Sequence, residues 1–385
     1  MSRAIVIGGG VGGLTAGLAL RERGWDVTVV ERAPALEAVG SGLAVAVNAL
    51  RALDTLGLGD QVRELSRVQG AAGIQSASGR WLSRTSPEAA HARYGDSIVL
   101  MLRRTLVDLL AGRLGGDQVR LGAEVTGLDA ERGLVRLGEE TLEADLVVAA
   151  DGIHSRTRKQ LFPGLPGPVY AGVTAWRALL PRPEGLTIHS VESWGRGKVF
   201  GTHQLAGDLV YLYATDLAEP GGAPRDERED LLRRFGDWAE PIPALLRAAD
   251  PAAVLRNDVY YLAKPLPALH RGKVALIGDA AHPMTPNLGQ GACQAIEDAV
   301  VLAGVAGGDL AAYTGARLRR TADIVRKSAA ICRVTKLRAP LAVRLRDTGM
   351  KLAGKLSPDL VLRSMDGVLD WRPPAWSGRG PDARV

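Results

Sequence analysis

The fold of the chain is decided by residues 3–32, which read RAIVIGGGVGGLTAGLALRERGWDVTVVER. The apolar run 4–7 predicts a buried parallel strand, and the run 27–30 predicts a second one. Between them, residues 14–23 have the periodicity of a helix. This order of strand, glycine-rich turn, helix and strand predicts a βαβ unit of the Rossmann type, and with it an α/β fold.

The turn of this unit carries the pattern G-x-G-x-x-G at Gly8, Gly10 and Gly13. These glycines permit a tight turn, and they let backbone N–H groups and the positive end of the helix meet a pyrophosphate. Glu31 ends the second strand, where an acidic side chain accepts hydrogen bonds from the ribose hydroxyls of a dinucleotide. A glycine-rich turn without a ligand is the alternative, but it leaves Glu31 unexplained.

Further strand and helix patterns of this kind occur on both sides of a central segment that has a different pattern. Strands are predicted at 119–121, 135–137, 146–150 and 274–277, and helices at 48–56, 105–114 and from 289 to about 305, with a long basic helix pair after Asp309. Between about 169 and 262, alternating stretches rich in Thr, Val and Tyr are separated by turns that contain Gly and Pro, which predicts an antiparallel sheet. The sequence therefore predicts Rossmann-type segments on both sides of a β-rich insertion.

The composition excludes several classes of protein. Of the 385 residues, 46% are hydrophobic and 23% charged, which is the usage of an ordinary globular chain. No apolar run reaches the length of a membrane span, and the first apolar run is too short for a signal peptide, so we expect a cytoplasmic protein without a transmembrane segment. Cys293, Cys332 and the six histidines form no disulfide or metal-ligand pattern, so no metal is expected.

Two further clusters follow predicted strands. Residues 274–291, VALIGDAAHPMTPNLGQG, combine a strand, an acidic turn at Asp279 and a glycine-rich helix entry. A carboxylate in such a turn can bind ribityl hydroxyls, and the helix N-terminus stabilises negative charge near N1 and C2=O of a reduced flavin. Residues 145–158, DLVVAADGIHSRTR, form another strand that leads into Asp151 and Gly152. The cluster at 274–291 favours FAD over NAD as the tightly bound nucleotide.

Together the three clusters resemble those of the single-component FAD-dependent aromatic hydroxylases, the para-hydroxybenzoate hydroxylase-like flavoprotein monooxygenases. RRTL at 103–106 is similar to the R-x-x-L element of that family, and YAGVTAWR at 170–177 resembles the strand that enters the substrate domain in its salicylate-hydroxylase and urate-hydroxylase-like branch. A second G-x-G-x-x-G after a strand is absent from the sequence. The nicotinamide cofactor therefore has no Rossmann site of its own.

The resemblance implies a domain organisation. Residues 1–75, 96–168 and 264–337 would form a discontinuous FAD-binding domain of the GR2 type, 76–95 and 169–263 an inserted β-sheet substrate domain, and 338–385 a C-terminal helix and tail.

The resemblance also implies which residues bind the cofactor. Gly8, Gly10 and Gly13 would bind the pyrophosphate, Glu31 and Arg32 the adenosine ribose, Val125 the adenine through its backbone, Arg103 the FAD, and Asp279 the ribityl chain. Pro286, Gly289, Gln290 and Gly291 would face the isoalloxazine, and Asp151 and Gly152 would serve FAD and, transiently, NAD(P)H.

The activity implied is monooxygenation of a small molecule. NADH or NADPH would reduce FAD, the reduced flavin would capture O2 as a C4a-hydroperoxide, and one oxygen atom would pass to an electron-rich carbon by hydroxylation or epoxidation. The protein would exclude water and position the substrate. No Ser/His/Asp set has an interpretable spacing, so no catalytic residue is nominated. The alternatives are an NAD(P)H oxidase or reductase and a non-catalytic FAD-binding partner protein.

The substrate wall is predicted from a hairpin, 198–205 and 208–215, closed by the two residues 206 and 207. This loop places Leu205 opposite Asp208 and His203 opposite Val210. One face then carries the candidate substrate-binding residues Val199, Gly201, His203, Val210 and Leu212, and we predict that this more apolar face lines the pocket. The opposite face, which is rich in tyrosine, is the alternative, and a slip of one residue would exchange faces.

Two side chains have two interpretations each. His203 either orients or deprotonates a substrate hydroxyl, or is satisfied by neighbouring backbone. Trp176 either walls the substrate or fills a domain interface. A mostly apolar wall indicates a hydrophobic, electron-rich substrate rather than a small anion, and Arg177 is the chief objection to that hypothesis.

The formal charge of +6 is concentrated near the C-terminus, where residues 315–355 hold 12 Lys and Arg against 2 Asp and Glu. We favour two solvated amphipathic helices that pack across the FAD domain. Attraction of the NADPH phosphate or of acidic partners is a second reading, and binding to nucleic acid or a membrane surface is a third. Because no nucleic-acid-binding motif or interleaved aromatic residue accompanies the charge, no nucleic-acid partner is predicted.

Overall fold

The structure is a computed structural model that describes residues 1–36, 41–65, 72–222, 226–356 and 362–375. Its strands are β1 (Arg3–Ile7), β2 (Asp26–Val30), β3 (Gly42–Val45), β4 (Ala72–Ser76), β5 (Trp81–Thr85), β6 (Val99–Leu102), β7 (Val119–Arg120), β8 (Gly127–Asp129), β9 (Leu134–Leu137), β10 (Glu140–Glu143), β11 (Leu146–Ala149), β12 (Val169–Pro181), β13 (Ser190–Trp194), β14 (Lys198–Leu205), β15 (Leu209–Asp216), β16 (Leu255–Tyr261), β17 (His270–Arg271) and β18 (Val274–Leu276).

The helices lie between these strands and after the last of them. They are α1 (Val11–Glu22), α2 (Val47–Asp54), α3 (Gly59–Glu64), α4 (Pro87–Tyr94), α5 (Arg103–Leu114), α6 (Arg156–Leu161), α7 (Glu227–Phe235), α8 (Ile242–Ala248), α9 (Gly291–Val305), α10 (Ala311–Thr335), α11 (Pro340–Leu356) and α12 (Asp366–Leu369). Short 3₁₀ turns at Gly278–Ala280 and Pro286–Leu288 lie between β18 and α9.

The first layer is a six-stranded sheet in the order β17-β18-β11-β1-β2-β7, parallel except for β17 against β18. The buried residues of its central strands are apolar, and α1 covers one face by packing on β1, β2 and β11. The helix α1 packs against α5 and α9, and Gly17 lets it approach β2 so closely that an added Cβ would lie 3.0 Å from Val29. The predicted α/β fold with a discontinuous Rossmann-type core is confirmed.

The second layer is a seven-stranded sheet in the order β16-β12-β15-β14-β13-β4-β5. Its neighbours are antiparallel except β13 and β4. One face packs on α7 and α8 through Phe200, Leu231, Phe235 and other buried side chains. Residues Ala72–Ser76 pair in this sheet, so the predicted division at 75 and 76 falls at the end of a sheet strand. The domain boundaries themselves stay a prediction, and the tail beyond residue 375 lies outside the described residues.

The predicted register of the β14–β15 hairpin is wrong by one residue. The turn has three residues, and His203 pairs with Tyr211 and Gly201 with Tyr213. The physical reason is that Asp208 joins the turn in the left-handed conformation, with φ +58°, which an aspartate tolerates better than most residues. Its carboxylate accepts a hydrogen bond from Arg182 Nε at 2.7 Å, which holds the turn.

Candidate functional site

The glycine-rich turn after β1 is shaped by close backbone approaches. Gly8 has φ +109°, and an added Cβ would lie 2.5 Å from the carbonyl oxygen of Ala150; one added at Gly13 would lie 1.9 Å from the carbonyl oxygen of Gly8. Gly10 precedes the first residue of α1, and the first turn of that helix carries no acidic side chain and no side-chain cap. Its free N–H groups can therefore meet an anion.

The predicted adenosine side lies at the end of β2. The carboxylate of Glu31 accepts hydrogen bonds from the backbone N–H of Gly9 at 2.6 Å and of Ala33 at 2.9 Å. These bonds fix the carboxylate and leave lone pairs for a ribose. Arg32 is exposed, and Val125 follows a segment in which the N–H of Ala123 donates to the Glu31 carbonyl oxygen at 2.8 Å.

Asp151 makes local hydrogen bonds, whereas Gly152 leaves open space in front of its backbone. The Asp151 carboxylate accepts from Ser155 Oγ at 2.6 Å and from the Thr157 N–H at 3.1 Å, so it fixes the start of α6. Gly152 has φ +77° with open space where a Cβ would stand. Arg158, one turn on, is buried and donates to the carbonyl oxygens of Asp279 and Ala280. This arginine joins the Asp151 turn to the Asp279 turn.

The last cluster forms the floor of a cavity. Asp279 stands in the turn after β18, and desolvation by the surrounding protein raises the pKa of its carboxyl group, against opposite effects of neighbouring His282, Arg103 and Arg158. The first turn of α9 has neither an acidic residue nor a side-chain cap. Its N–H groups favour negative charge at this point of the cavity.

One cavity of about 1280 Å³ connects these elements. That volume exceeds the range of a single drug-sized ligand and leaves room for a nucleotide together with a substrate. Nine of the predicted cofactor residues line it: Gly10, Gly13, Arg103, Gly152, Asp279, Pro286, Gly289, Gln290 and Gly291. Gly8, Glu31, Arg32, Val125 and Asp151 lie outside its lining.

The opposite wall of the cavity is one face of the seven-stranded sheet. Among the six predicted substrate residues, His203 lines the cavity and the other five do not. Val210, Leu212 and Trp176 lie on the other face, in the core with α7 and α8. The prediction for these three is wrong because the register shift moved the β15 residues across the sheet, and because Trp176 pairs with Ala214 on the buried face.

Val199 is buried outside the cavity lining. Gly201 is covered by Tyr213, since a Cβ added there would lie 2.2 Å from the tyrosine ring. The predicted lining role of Val199 and Gly201 is therefore not realised, although both lie on the same face of β14 as His203.

Aromatic rings form the wall that the structure shows. The His203 ring stacks on those of Tyr213 and Tyr211, with centroids 5.6 and 6.4 Å away. Burial lowers the pKa of His203 to about 4, so the ring is neutral near neutral pH. Burial, and then the neighbouring carboxylate, raise the pKa of Tyr213, whose hydroxyl donates to Glu192 Oε1 at 2.5 Å. The result is a cluster of three uncharged rings on one side of the cavity, in which Tyr211 and Tyr213 are tilted by 41° to each other.

The wall also carries polar groups. Arg177 lines the cavity and donates to Asn257 Oδ1 at 3.0 Å, and no carboxylate among the described residues forms an ion pair with it. Thr85 Oγ1, His203 Nδ1 and Asn287 Oδ1 are buried polar atoms of the lining without a hydrogen-bond partner. The predicted mostly apolar wall is wrong in this respect, since Arg177, the chief objection to it, lines the cavity.

A buried charge network supports the floor from behind. Arg317, Glu297 and Asp298 are all 0% exposed. Arg317 binds Glu297 and donates to Asp298 Oδ1 at 2.7 Å, while the other oxygen of Asp298 accepts from the Gly278 N–H at 2.9 Å and meets His282 Nε2 at 2.6 Å. Asp298 thus connects α10 to the turn that presents Asp279.

The sequence profile of the family described as "FAD binding domain" matches residues 1–183 and 260–326 of the chain. The aurachin C monooxygenase/isomerase of Stigmatella aurantiaca is 38% identical over 360 residues, which cover 90% of this chain and 93% of that protein. The FAD-dependent urate hydroxylase of Klebsiella pneumoniae is 33% identical over 350 residues, which cover 86% of this chain and 90% of that protein. The chain belongs to the FAD-dependent flavoprotein monooxygenases.

Solved structures agree with this assignment. The crystal structure of Klebsiella pneumoniae HpxO complexed with FAD and uric acid is 30% identical, has a TM-score of 0.85, and covers 96% of this chain and 97% of its own. A salicylate hydroxylase substrate complex at 23% identity, with a TM-score of 0.72, shares the fold. This monooxygenase binds FAD and hydroxylates or epoxidises a small molecule, and NAD(P)H is the typical reductant of the family. The predicted family and reaction are confirmed.

The glycine cradle, the two free helix starts and the size of the cavity fit FAD in this monooxygenase.

None of the helices in the described ranges has the length and apolarity that crossing a bilayer requires. Within the same ranges, no group of His, Cys, Asp and Glu side chains could hold a metal ion.

Sequence reasoning missed two sets of residues in this monooxygenase. The first is the wall pair Tyr211 and Tyr213, which sequence reasoning placed only on the alternative face; the three-residue turn through Asp208 pairs them with His203 and Gly201. The second is the network around Arg317. Its signal was present in the sequence, because Glu297 and Asp298 interrupt an otherwise apolar helix, and charged side chains in such a helix require buried partners.

Proposed function

We propose that this monooxygenase inserts one oxygen atom from O2 into a hydrophobic, electron-rich aromatic molecule, with NADH or NADPH as reductant. The observation that carries the proposal is the neutral wall of stacked rings, Tyr211, His203 and Tyr213, on the cavity side of the sheet. Offset-stacked and edge-to-face contacts between aromatic rings contribute binding free energy in addition to that of the buried surface area. The cytoplasm as the place of the reaction stays a prediction from the sequence.

The polar atoms of the cavity define what else the substrate carries. Buried polar atoms without a partner are uncommon in folded proteins. Thr85, His203 and Asn287 line the cavity and each holds one such atom, Oγ1, Nδ1 and Oδ1, so a rotation of these side chains toward the cavity would supply hydrogen bonds to ring substituents. Arg177 favours partial negative charge on a ring oxygen, which makes the ring more electron-rich. We therefore propose a ring with an ionisable hydroxyl or an equivalent oxygen.

We assign the cofactor roles as the family resemblance implies them, and the presence of nine of these residues in the cavity lining supports the assignment. Gly8, Gly10 and Gly13 admit the pyrophosphate, Glu31 with Arg32 and the backbone near Val125 take the adenosine, and Arg103 and Asp279 hold the middle of FAD. When bound and reduced, FAD supplies the activation of O2. The chain contributes the N–H groups at Gln290 and Gly291, which favour negative charge at the cavity floor, and Tyr211 and its neighbours, which position the substrate and exclude water.

Substrate-stimulated consumption of NAD(P)H tests the proposal. Neutral phenols and hydroxylated heteroaromatic compounds should accelerate NAD(P)H oxidation, and one atom from ¹⁸O2 should appear in the product. Tyr211→Ala should weaken this stimulation, whereas Val210→Ala, on the opposite face of β15, should affect stability but not substrate preference. If benzoates and other small anions stimulate instead, and the stimulation depends on Arg177, the substrate is a small anion and the proposal is wrong.

A further inference from the structure

The helix α11 presents apolar side chains to solvent. Its outward side carries the exposed residues Leu341, Arg344, Leu345, Thr348, Gly349, Leu352 and Lys355, which we call the α11 outer face. The three leucines are 70%, 65% and 54% exposed and are among the most exposed large apolar residues of the described chain. A row of leucines along one side of a helix is unusual for a surface that faces water alone.

The inner side of the same helix is anchored, so the outer face is not free to turn inward. The Arg346 guanidinium lies 5.4 Å from the Trp194 ring and donates to the Gly195 carbonyl oxygen at 3.2 Å, and its side chain is 4% exposed. It also pairs with Asp347, which is only 21% exposed. The helix packs on β5. These contacts fix which residues of α11 meet the surroundings.

The charge of the outer face has one sign. It carries Arg344 and Lys355 and no acidic residue, and neither cation forms an ion pair with a described residue. The surrounding stretch, 315–355, holds 12 basic and 2 acidic residues. Leucines flanked by unpaired cations match the interface of an anionic bilayer, where apolar side chains enter the acyl boundary and cations meet phosphate groups.

We propose that the α11 outer face docks this monooxygenase on the surface of an anionic lipid bilayer. A second copy of the chain fits the face less well, because a two-fold contact sets a surface against itself, and this one would bring cations together without a carboxylate to pair with. The helix, with 17 residues, is about 25 Å long, enough for its leucines to enter the interface along one line. The inference goes beyond the oxygenation reaction and does not depend on the substrate.

Co-sedimentation with vesicles tests the docking. The full-length, FAD-loaded protein should sediment with vesicles of phosphatidylcholine that contain about 30% phosphatidylserine, and much less with pure phosphatidylcholine. The Leu341→Ser/Leu345→Ser variant should bind at least about tenfold more weakly, since it removes two inserted apolar side chains. Leu165→Ser is the matched control, because Leu165 is an exposed leucine outside α11; this variant should bind vesicles like the wild type.

Reversing one charge on the α11 outer face measures the electrostatic contribution to vesicle binding separately from the apolar one. Lys355→Glu should weaken binding to anionic vesicles by about fivefold or more, since each cation near such a surface contributes about that factor. Arg132→Glu, at an exposed turn, is the control. All variants should keep their FAD absorbance and basal NAD(P)H oxidation. Equal binding by Leu341→Ser/Leu345→Ser and wild type, or a dimer in light scattering that this variant abolishes without any vesicle binding, would overturn the proposal.

Discussion

Replacing Arg317 with methionine should lower the free energy of unfolding by about 3–5 kcal/mol, because it removes the fully buried cation that two buried carboxylates share. Arg317, Glu297 and Asp298 are all 0% exposed. Besides the two carboxylates, the guanidinium serves Gln294 Oε1 at 2.8 Å. In the variant, Glu297 still pairs with Arg320 and Asp298 with His282. The decrease in the free energy of unfolding should therefore not exceed this range of about 3–5 kcal/mol.

The effect should depend on pH with a definite sign. Burial by itself would raise the pKa of Asp298, but His282 and Arg317 lower it to about 2, below the ordinary value of 3.8. In the wild type this difference contributes stability that is present above about pH 4 and is lost as the pH falls through about 2. Without Arg317, only His282 and hydrogen bonds oppose the burial that raises the pKa of Asp298. Asp298 of the folded variant therefore binds a proton at a higher pH than in the wild type, so the stability deficit of the variant should shrink as the pH falls.

Urea unfolding of the FAD-loaded proteins, followed by tryptophan fluorescence, measures this effect. Arg182→Met is the matched control, since it removes an arginine from the partly exposed pair with Asp208 and should cost less than about 1 kcal/mol. Arg317→Met should also retain FAD less well, because Asp298 accepts from the Gly278 N–H beside Asp279. If Arg317→Met is no less stable than Arg182→Met, or if its deficit grows toward low pH, the reasoning is refuted.

Three other perturbations address the cavity. Gly13→Ala should abolish FAD retention at unchanged circular dichroism, because its Cβ would lie 1.9 Å from the Gly8 carbonyl oxygen; a variant that stays yellow through gel filtration would contradict this. Gly201→Ala should raise the substrate KM at unchanged FAD content, because its Cβ would lie 2.2 Å from the Tyr213 ring, and an unaltered KM would count against the aromatic wall. His203→Gln should change substrate affinity by the same factor at about pH 5 and pH 8, since burial lowers the His203 pKa to about 4 and the ring stays neutral across that range. An inflection between these pH values that is present in the wild type and lost in the variant would disprove a neutral His203.

The cofactor half of the site was accessible to sequence reasoning for a local reason. The glycines of the β1–α1 turn, Asp279 and the entry to α9 each lie where a strand ends and a helix begins. Parallel strands bring such ends to one edge of a sheet. The substrate half was not accessible in the same way, because alternating residues on a hairpin change faces with a shift of one position.

The sequence by itself determined the Rossmann unit, the FAD-dependent family and the location of the cofactor clusters, since these rest on periodicity and on turn residues that act over a few positions. The tertiary structure alone decided the register of β14 and β15, which packs Val210 and Leu212 into the core with α7 and α8, and the pairing of Glu297 and Asp298 with Arg317. Both depend on contacts between residues distant in the chain. Their free energy comes from burial and charge neutralisation, which no local pattern specifies.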